Sequence, residues 1–102
     1  MTYQALSASL ETCHWGFFDA TLAPVVTIAS GSEITIDTIS GGPQNLPGEG
    51  FHIPPELLDL HAAGVPAMPG HILTGPVAVE GALPGDVLQV DILDVSLRQD
   101  WG

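Results

Sequence analysis

The glycine and proline content constrains the fold of this chain more than any other feature. Twelve glycines and nine prolines stand among 102 residues. Proline lacks a backbone donor and glycine loses the most conformational freedom on folding, so both limit the length of regular elements. We therefore expect a single domain over residues 1–102, built from short elements with frequent turns and no long helix.

A first strand pattern lies in residues 24–39. Residues 24–29 are mainly apolar, a Ser-Gly-Ser turn follows, and Ile34 and Ile36 then alternate with polar neighbours. A period of two is the pattern of a strand with one buried face. The sequence predicts two strands around this turn.

Residues 76–95 repeat the same plan. The mainly apolar residues 76–80 run into a turn rich in glycine and proline, and alternation returns over residues 87–95. Aligning Gly31 with Gly85 brings the two patterns into register. This is a faint internal echo, and two strand pairs with the same turn chemistry explain it.

Residues 54–64 carry the one helix pattern. Pro54 and Pro55 preset φ at a helix start, Glu56 suits the first turn, and Gly64 suits the carboxyl-terminal cap. The residues that share a face of this helix are Leu57, Leu60 and His61. Together the patterns predict a mainly β domain, sandwich-like or barrel-like, with four or more strands and one short helix.

The charge balance excludes several partners. Twelve acidic residues stand against one basic residue, Arg98, for a net charge of −11. Nucleic acids and anionic membranes are bound by clustered Lys and Arg, which this chain lacks. The chain also lacks a long apolar stretch or a signal-like start, and it has a single cysteine, Cys13. We expect a cytoplasmic protein without a disulfide.

His14 and Asp19 belong to the densest group of residues that could take part in catalysis or metal binding. They flank an aromatic stretch, and Cys13 precedes the histidine. An imidazole and a carboxylate in an aromatic shelter suit a metal or general-base site. The alternative is that the aromatic residues are core anchors and His14 is held by a backbone carbonyl. Cys13 has no basic neighbour in sequence, so we do not expect it to be a nucleophile.

His71 and Glu80 form a second candidate group. His71 lies in a turn directly before a strand, and Glu80 ends an apolar strand beside the small Ala78. A half-buried carboxylate there would have a raised pKa unless a cation lowered it. The alternative is an edge-strand glutamate that faces water.

These motifs together resemble the amino-terminal part of the acetamidase/formamidase family. The resemblance is carried by residues 12–19, TCHWGFFD, by residues 24–31, PVVTIASG, and above all by residues 71–88, HILTGPVAVEGALPGDVL. The last run is long and specific, and the resemblance extends from about residue 12 to the end of the chain.

The resemblance implies a hydrolase that cleaves the carbon–nitrogen bond of short linear amides such as formamide and acetamide. It also implies a mostly β fold and, for some members, a bound divalent metal such as zinc. On this reading His14, Asp19 and His71 would be metal ligands and Glu80 the catalytic base. A metal ion would polarise the amide carbonyl and acidify a bound water, and a carboxylate would accept its proton.

One departure from the family pattern is the length of the chain, because family enzymes are considerably longer. We therefore expect weak or no amidase activity from the isolated chain, and association with itself or with a complementary carboxy-terminal chain. A noncatalytic structural subunit, or a truncated remnant of a split amidase, is the main alternative. A cupredoxin-like metal module is disfavoured because Cys13 lies far from the end of the chain.

Overall fold

A computed structural model describes residues 3–15, 18–42, 46–63 and 71–101. The prediction of a mainly β fold is confirmed, since these residues contain six short strands and a single helix and close no barrel. In chain order the elements are β1 (Tyr3–Leu6), β2 (Cys13–Trp15), β3 (Val26–Ile28), β4 (Glu33–Ile36), α1 (Pro55–Ala63), β5 (Ile72–Thr74) and β6 (Val77–Val79).

The strands form three two-stranded sheets. Strands β1 and β4 pair in parallel, β2 and β5 pair antiparallel, and β3 and β6 pair in parallel. In both parallel pairs the two strands lie far apart in the sequence. A long connection is needed because a turn of a few residues cannot join two parallel strands.

The turn after β3 does not close a hairpin. Gly31 adopts a φ of 83° and the Ser32 amide donates to the Ala29 carbonyl over 3.1 Å, as the sequence pattern predicts for a tight turn. The two strands around it nevertheless pair with different partners, β6 and β1. The interpretation of the internal echo as two strand pairs is therefore wrong, because the first turn joins strands of different sheets and the second leads into residues that form no strand.

Helix α1 begins where the two prolines predict. Its first turn is closed by the Leu57 amide, which donates to the Pro54 carbonyl over 3.0 Å. Leu57 and Leu60 face the core, whereas His61 is half-buried and its Nε2 lies 2.8 Å from the Gly41 carbonyl oxygen. The predicted Gly64 cap lies outside the described residues. Nine residues long, α1 is too short to cross a bilayer, and no other described segment forms a helix that could.

The core is small and lies between α1 and the ends of β1, β2 and β4. Its members are Ala8, Cys13, Ile39, Leu57 and Leu60, with Leu46, Ile53, Ile72 and Trp101 packed around them. Cys13 is therefore a buried core residue.

The predicted strand over residues 87–95 does not form. Residues 87–97, here called the extended segment, pair with no described strand, and every residue of the segment is exposed. Alternation alone predicts the local shape of a strand, whereas a sheet also requires a neighbour.

Candidate active site

Strands β2 and β5 form one wall of an open pocket of about 340 Å³. In their antiparallel register His14 lies opposite Leu73, and Cys13 lies opposite Thr74. Successive side chains of a strand point to opposite faces, so Cys13 enters the core while His14 faces the pocket. The pocket is lined by His14, Phe18, Asp19, Leu22, Leu73, Thr74 and Pro76.

Hydrogen bonds of Thr74 fix the position of β5. Its Oγ1 donates to the carbonyl oxygen of Asp37 over 2.8 Å and lies 3.5 Å from the Cys13 Sγ. The Gly75 amide also donates to the Thr12 carbonyl over 2.8 Å. These bonds join β5 to β2 and to the end of β4, so the wall of the pocket is tied to the paired sheets.

A local turn between Asp19 and Thr21 positions Asp19 at the pocket. Its Oδ1 accepts the backbone amide of Thr21 over 2.8 Å and the hydroxyl of Thr21 over 2.7 Å. The backbone amide, and secondly the hydroxyl, hold the pKa of the Asp19 carboxyl below its ordinary value. Oδ2 accepts no hydrogen bond from any described residue.

The two groups predicted separately from the sequence are not brought together. His14 and Asp19 line the same pocket, as their spacing suggests, and His14 is half-buried. His71 and Glu80 are exposed and are not among the lining residues. Glu80 follows β6 in a turn, where its amide donates to the Ile28 carbonyl over 2.8 Å. Of the two interpretations of Glu80, the structure agrees with the carboxylate that faces water, because β6 ends one residue before it.

The described residues do not supply a three-ligand metal site. Nowhere within residues 3–15, 18–42, 46–63 and 71–101 do three His, Cys, Asp or Glu side chains come close enough to hold one ion. A catalytic zinc needs about three protein ligands. His14 and Asp19 could contribute two, so we derive no chemical step through a metal.

The Leu73, Thr74 and Pro76 side of the pocket has no signal in the sequence that marks it as part of a site. Leu73, Thr74 and Pro76 belong to the 71–88 motif but carry no group that is typical of catalysis on its own. Their contribution depends on the pairing of β5 with β2, which no local pattern reveals. Phe18 lines the pocket too, and because it is 95% exposed it is not the core anchor considered above.

Fold and site together define a mainly β domain with an open pocket that is lined by a histidine, a carboxylate and apolar side chains. Comparison with known protein families shows to which family this domain belongs. The chain belongs to the acetamidase/formamidase family, whose profile matches residues 13–102.

Two curated relatives are similar to short stretches of the chain. A formamidase of Methylophilus methylotrophus is 59% identical over an alignment of 34 residues, which covers 31% of this chain and 8% of the relative. An acetamidase of Mycolicibacterium smegmatis is 67% identical over 27 residues, which are 26% of this chain and 7% of the relative. The matched stretches thus span a small part of the relatives' own length. No solved structure matches the chain significantly.

Proposed function

We propose that this chain contributes the His14–Asp19 pocket of a hydrolase that acts on the carbon–nitrogen bond of short linear amides. The observation that carries the proposal is that these two residues, which lie within the family match, line one open pocket. The relatives' names, a formamidase and an acetamidase, support the substrate class.

The chemistry of the lining suits a small amide. An amide presents a donor NH₂ group and an acceptor carbonyl. The ionised Asp19 accepts from the NH₂ group, and the Leu73 and Pro76 side chains face the short alkyl end. Hydrolysis adds water to the carbonyl carbon, breaks the C–N bond and passes both protons of the water to the leaving nitrogen, giving carboxylate and ammonium.

Two finer assignments accompany the proposal. We propose His14, Asp19 and His71 as ligands of a divalent metal such as zinc and Glu80 as the base; since the described residues bring no three such side chains together and the pocket lining lacks His71 and Glu80, the assignment requires them to come closer in a larger assembly. The proposed substrate is a small amide, and the proposed protein partner is either a second copy or a complementary carboxy-terminal chain. We propose no nucleic acid or membrane as a partner, and a location in the cytoplasm. Metal analysis of the His14→Ala and His71→Ala variants tests the ligands, and unchanged metal content in both would remove them.

Amide binding tests the pocket itself. Titration of the chain with acetamide, followed by backbone NMR, should give saturable shifts at Leu22, Leu73 and Thr74 with a dissociation constant in the range of about 1–100 mM. Asp19→Asn should weaken the binding, whereas Asp91→Asn, an exposed acidic residue far along the chain, should not.

Two outcomes would count against the proposal. Absent or non-saturating shifts would show that the pocket does not take amides, and equal weakening by both variants would show that only net charge matters. Ammonia release from formamide or acetamide should be weak or absent for the chain alone. Release that scales with chain concentration and is lost in Glu80→Gln would overturn this expected inactivity and support Glu80 as the base.

A further inference from the structure

We propose that Leu73 is a specificity-determining residue, which contacts the acyl chain of the bound amide and makes the pocket prefer longer chains. This assignment rests on the function proposed above for the same pocket. The expected order of affinity rises from formamide through acetamide and propionamide to butyramide.

Leu73 is the direct neighbour of His14 across the β2–β5 pair. The Gly75 amide donates to the Thr12 carbonyl, so these two residues form a hydrogen-bonded pair of the ladder. Bonded and non-bonded pairs alternate in an antiparallel ladder, so His14 and Leu73 form the next bonded pair, with Cα atoms about 5.5 Å apart. Both side chains lie on the pocket face. An amide group bound at His14 and Asp19 therefore has its acyl carbons within reach of Leu73.

The side chains on the β5 side of the pocket offer no donor to an amide group. Leu73 is apolar, and Pro76 is apolar and lacks a backbone amide hydrogen. The hydroxyl of Thr74 has a single proton, which it donates to the Asp37 carbonyl over 2.8 Å. The amide group of a ligand therefore gains more at the polar lining residues, which leaves the β5 side for its apolar part.

The pocket has accessible apolar surface and room for a longer chain. Leu73, Leu22 and Pro76 are half-buried, so part of each side chain remains open to a ligand. The volume of about 340 Å³ corresponds to roughly ten water molecules at their volume in the liquid, which is more than acetamide fills. Added methylene groups thus meet apolar surface without a steric clash.

The position of Leu73 is fixed by the bonds of the residue next to it. Thr74 is bonded to the Asp37 carbonyl, and the Asp37 amide donates to the Leu6 carbonyl over 2.9 Å. The Asp37 carboxylate also pairs with Arg98 at 3.9 Å. Because β5 is held in this way, truncation of Leu73 should leave a space that movement of the strand does not refill.

The expected gradient follows from the burial of methylene groups. A fully buried methylene strengthens binding about fourfold. Since the pocket is open, we expect about half of that free energy, which is about a twofold gain for each methylene. Over the steps from formamide to butyramide the dissociation constant should therefore fall by about eightfold.

Titration of the unmodified chain with these four amides, followed by backbone NMR, measures the gradient. Leu73→Ala should reduce it to about threefold or less, because the main apolar contact is lost. Formamide has no carbon chain that could reach Leu73, so its affinity should change by less than about twofold. Leu88→Ala makes the same truncation at an exposed leucine outside the pocket and should keep the full gradient.

A milder variant guards against loss of the fold. Leu73→Val keeps a branched side chain that suits a strand, and it should give a gradient between those of the unmodified chain and Leu73→Ala. The circular dichroism spectrum of each variant shows whether its fold is retained.

Three outcomes would overturn the assignment while the proposed function stands. They are amide binding that does not strengthen with chain length, a full gradient that survives in both Leu73 variants, and equal weakening of all four amides, which would indicate a structural role. Failure of every amide to bind the unmodified chain would instead remove the proposed function, and the assignment of Leu73 with it.

Discussion

Two regions of the molecule share one sequence pattern, but only one of them pairs with another strand and contributes to the core. Strand β4 follows β3 through the Gly31 turn, and the extended segment follows β6 through the Gly85 turn, with apolar residues at several matching positions. Ile39 enters the core at 4% exposure, whereas Leu93, its counterpart when Gly31 is aligned with Gly85, is 70% exposed. The difference lies in the partner: β4 pairs with β1, and the segment has no equivalent strand in the described chain. The turn residues and the alternation of apolar residues thus favour an extended strand, whereas the presence of a neighbouring strand determines whether that strand is paired and buried.

The largest expected effect compares these two counterparts directly. Ile39→Ala should lower the free energy of unfolding by about 2–5 kcal/mol, because it leaves a cavity in a small core. Leu93→Ala should change it by less than about 0.5 kcal/mol in dilute, monomeric solution, because the side chain is already in water. Urea unfolding monitored by circular dichroism measures both. Equal losses would show that the segment packs on its own chain, contrary to the structure.

A smaller effect compares the two turns. Gly31 and Gly85 both have positive φ and open space around the Cβ position, so a Gly→Ala change strains only the backbone. Gly31→Ala should cost about 1–2 kcal/mol, since β3 and β4 on either side of it are both paired and hold the turn in place.

Gly85→Ala should lower the free energy of unfolding by less than Gly31→Ala, because the unpaired segment can relax. Urea unfolding curves of the two variants test this ordering, and a larger loss at Gly85 would reverse the comparison.

The smallest effect concerns Asp19, in the loop that leads to the paired region. Thr21→Val removes the hydroxyl but keeps the backbone amide, so the pKa of Asp19 should rise only part of the way to its ordinary value. Thr21→Ser keeps both donors and should leave the pKa low.

The sign of the pH dependence follows from the lowered pKa. The stabilisation is fully present above the pKa of the unfolded chain and is lost as pH falls through the lower folded value. Carboxyl NMR titration measures the shift, and an unchanged pKa in Thr21→Val would assign it to the backbone amide alone.

Local features of the sequence were sufficient for local structure. Pro54 and Pro55 predicted the start of α1, and alternation around Ile34 predicted β4, because propensity and capping act within a few residues. The pairing of β2 with β5 joins residues about sixty positions apart, and no local pattern encodes it. For this reason His14 and Asp19 were predicted as a pair, whereas the contribution of Leu73 to the same pocket was not.

The single basic residue has a practical consequence for anyone who handles this protein. Trypsin cleaves after arginine and lysine, and Arg98 is the one such position in the chain. In the folded chain its guanidinium is held by Asp37 and Glu56, next to the anchored Trp101. Tryptic digestion therefore makes one cut, and its rate reports how often the carboxyl-terminal anchor detaches, without any added label.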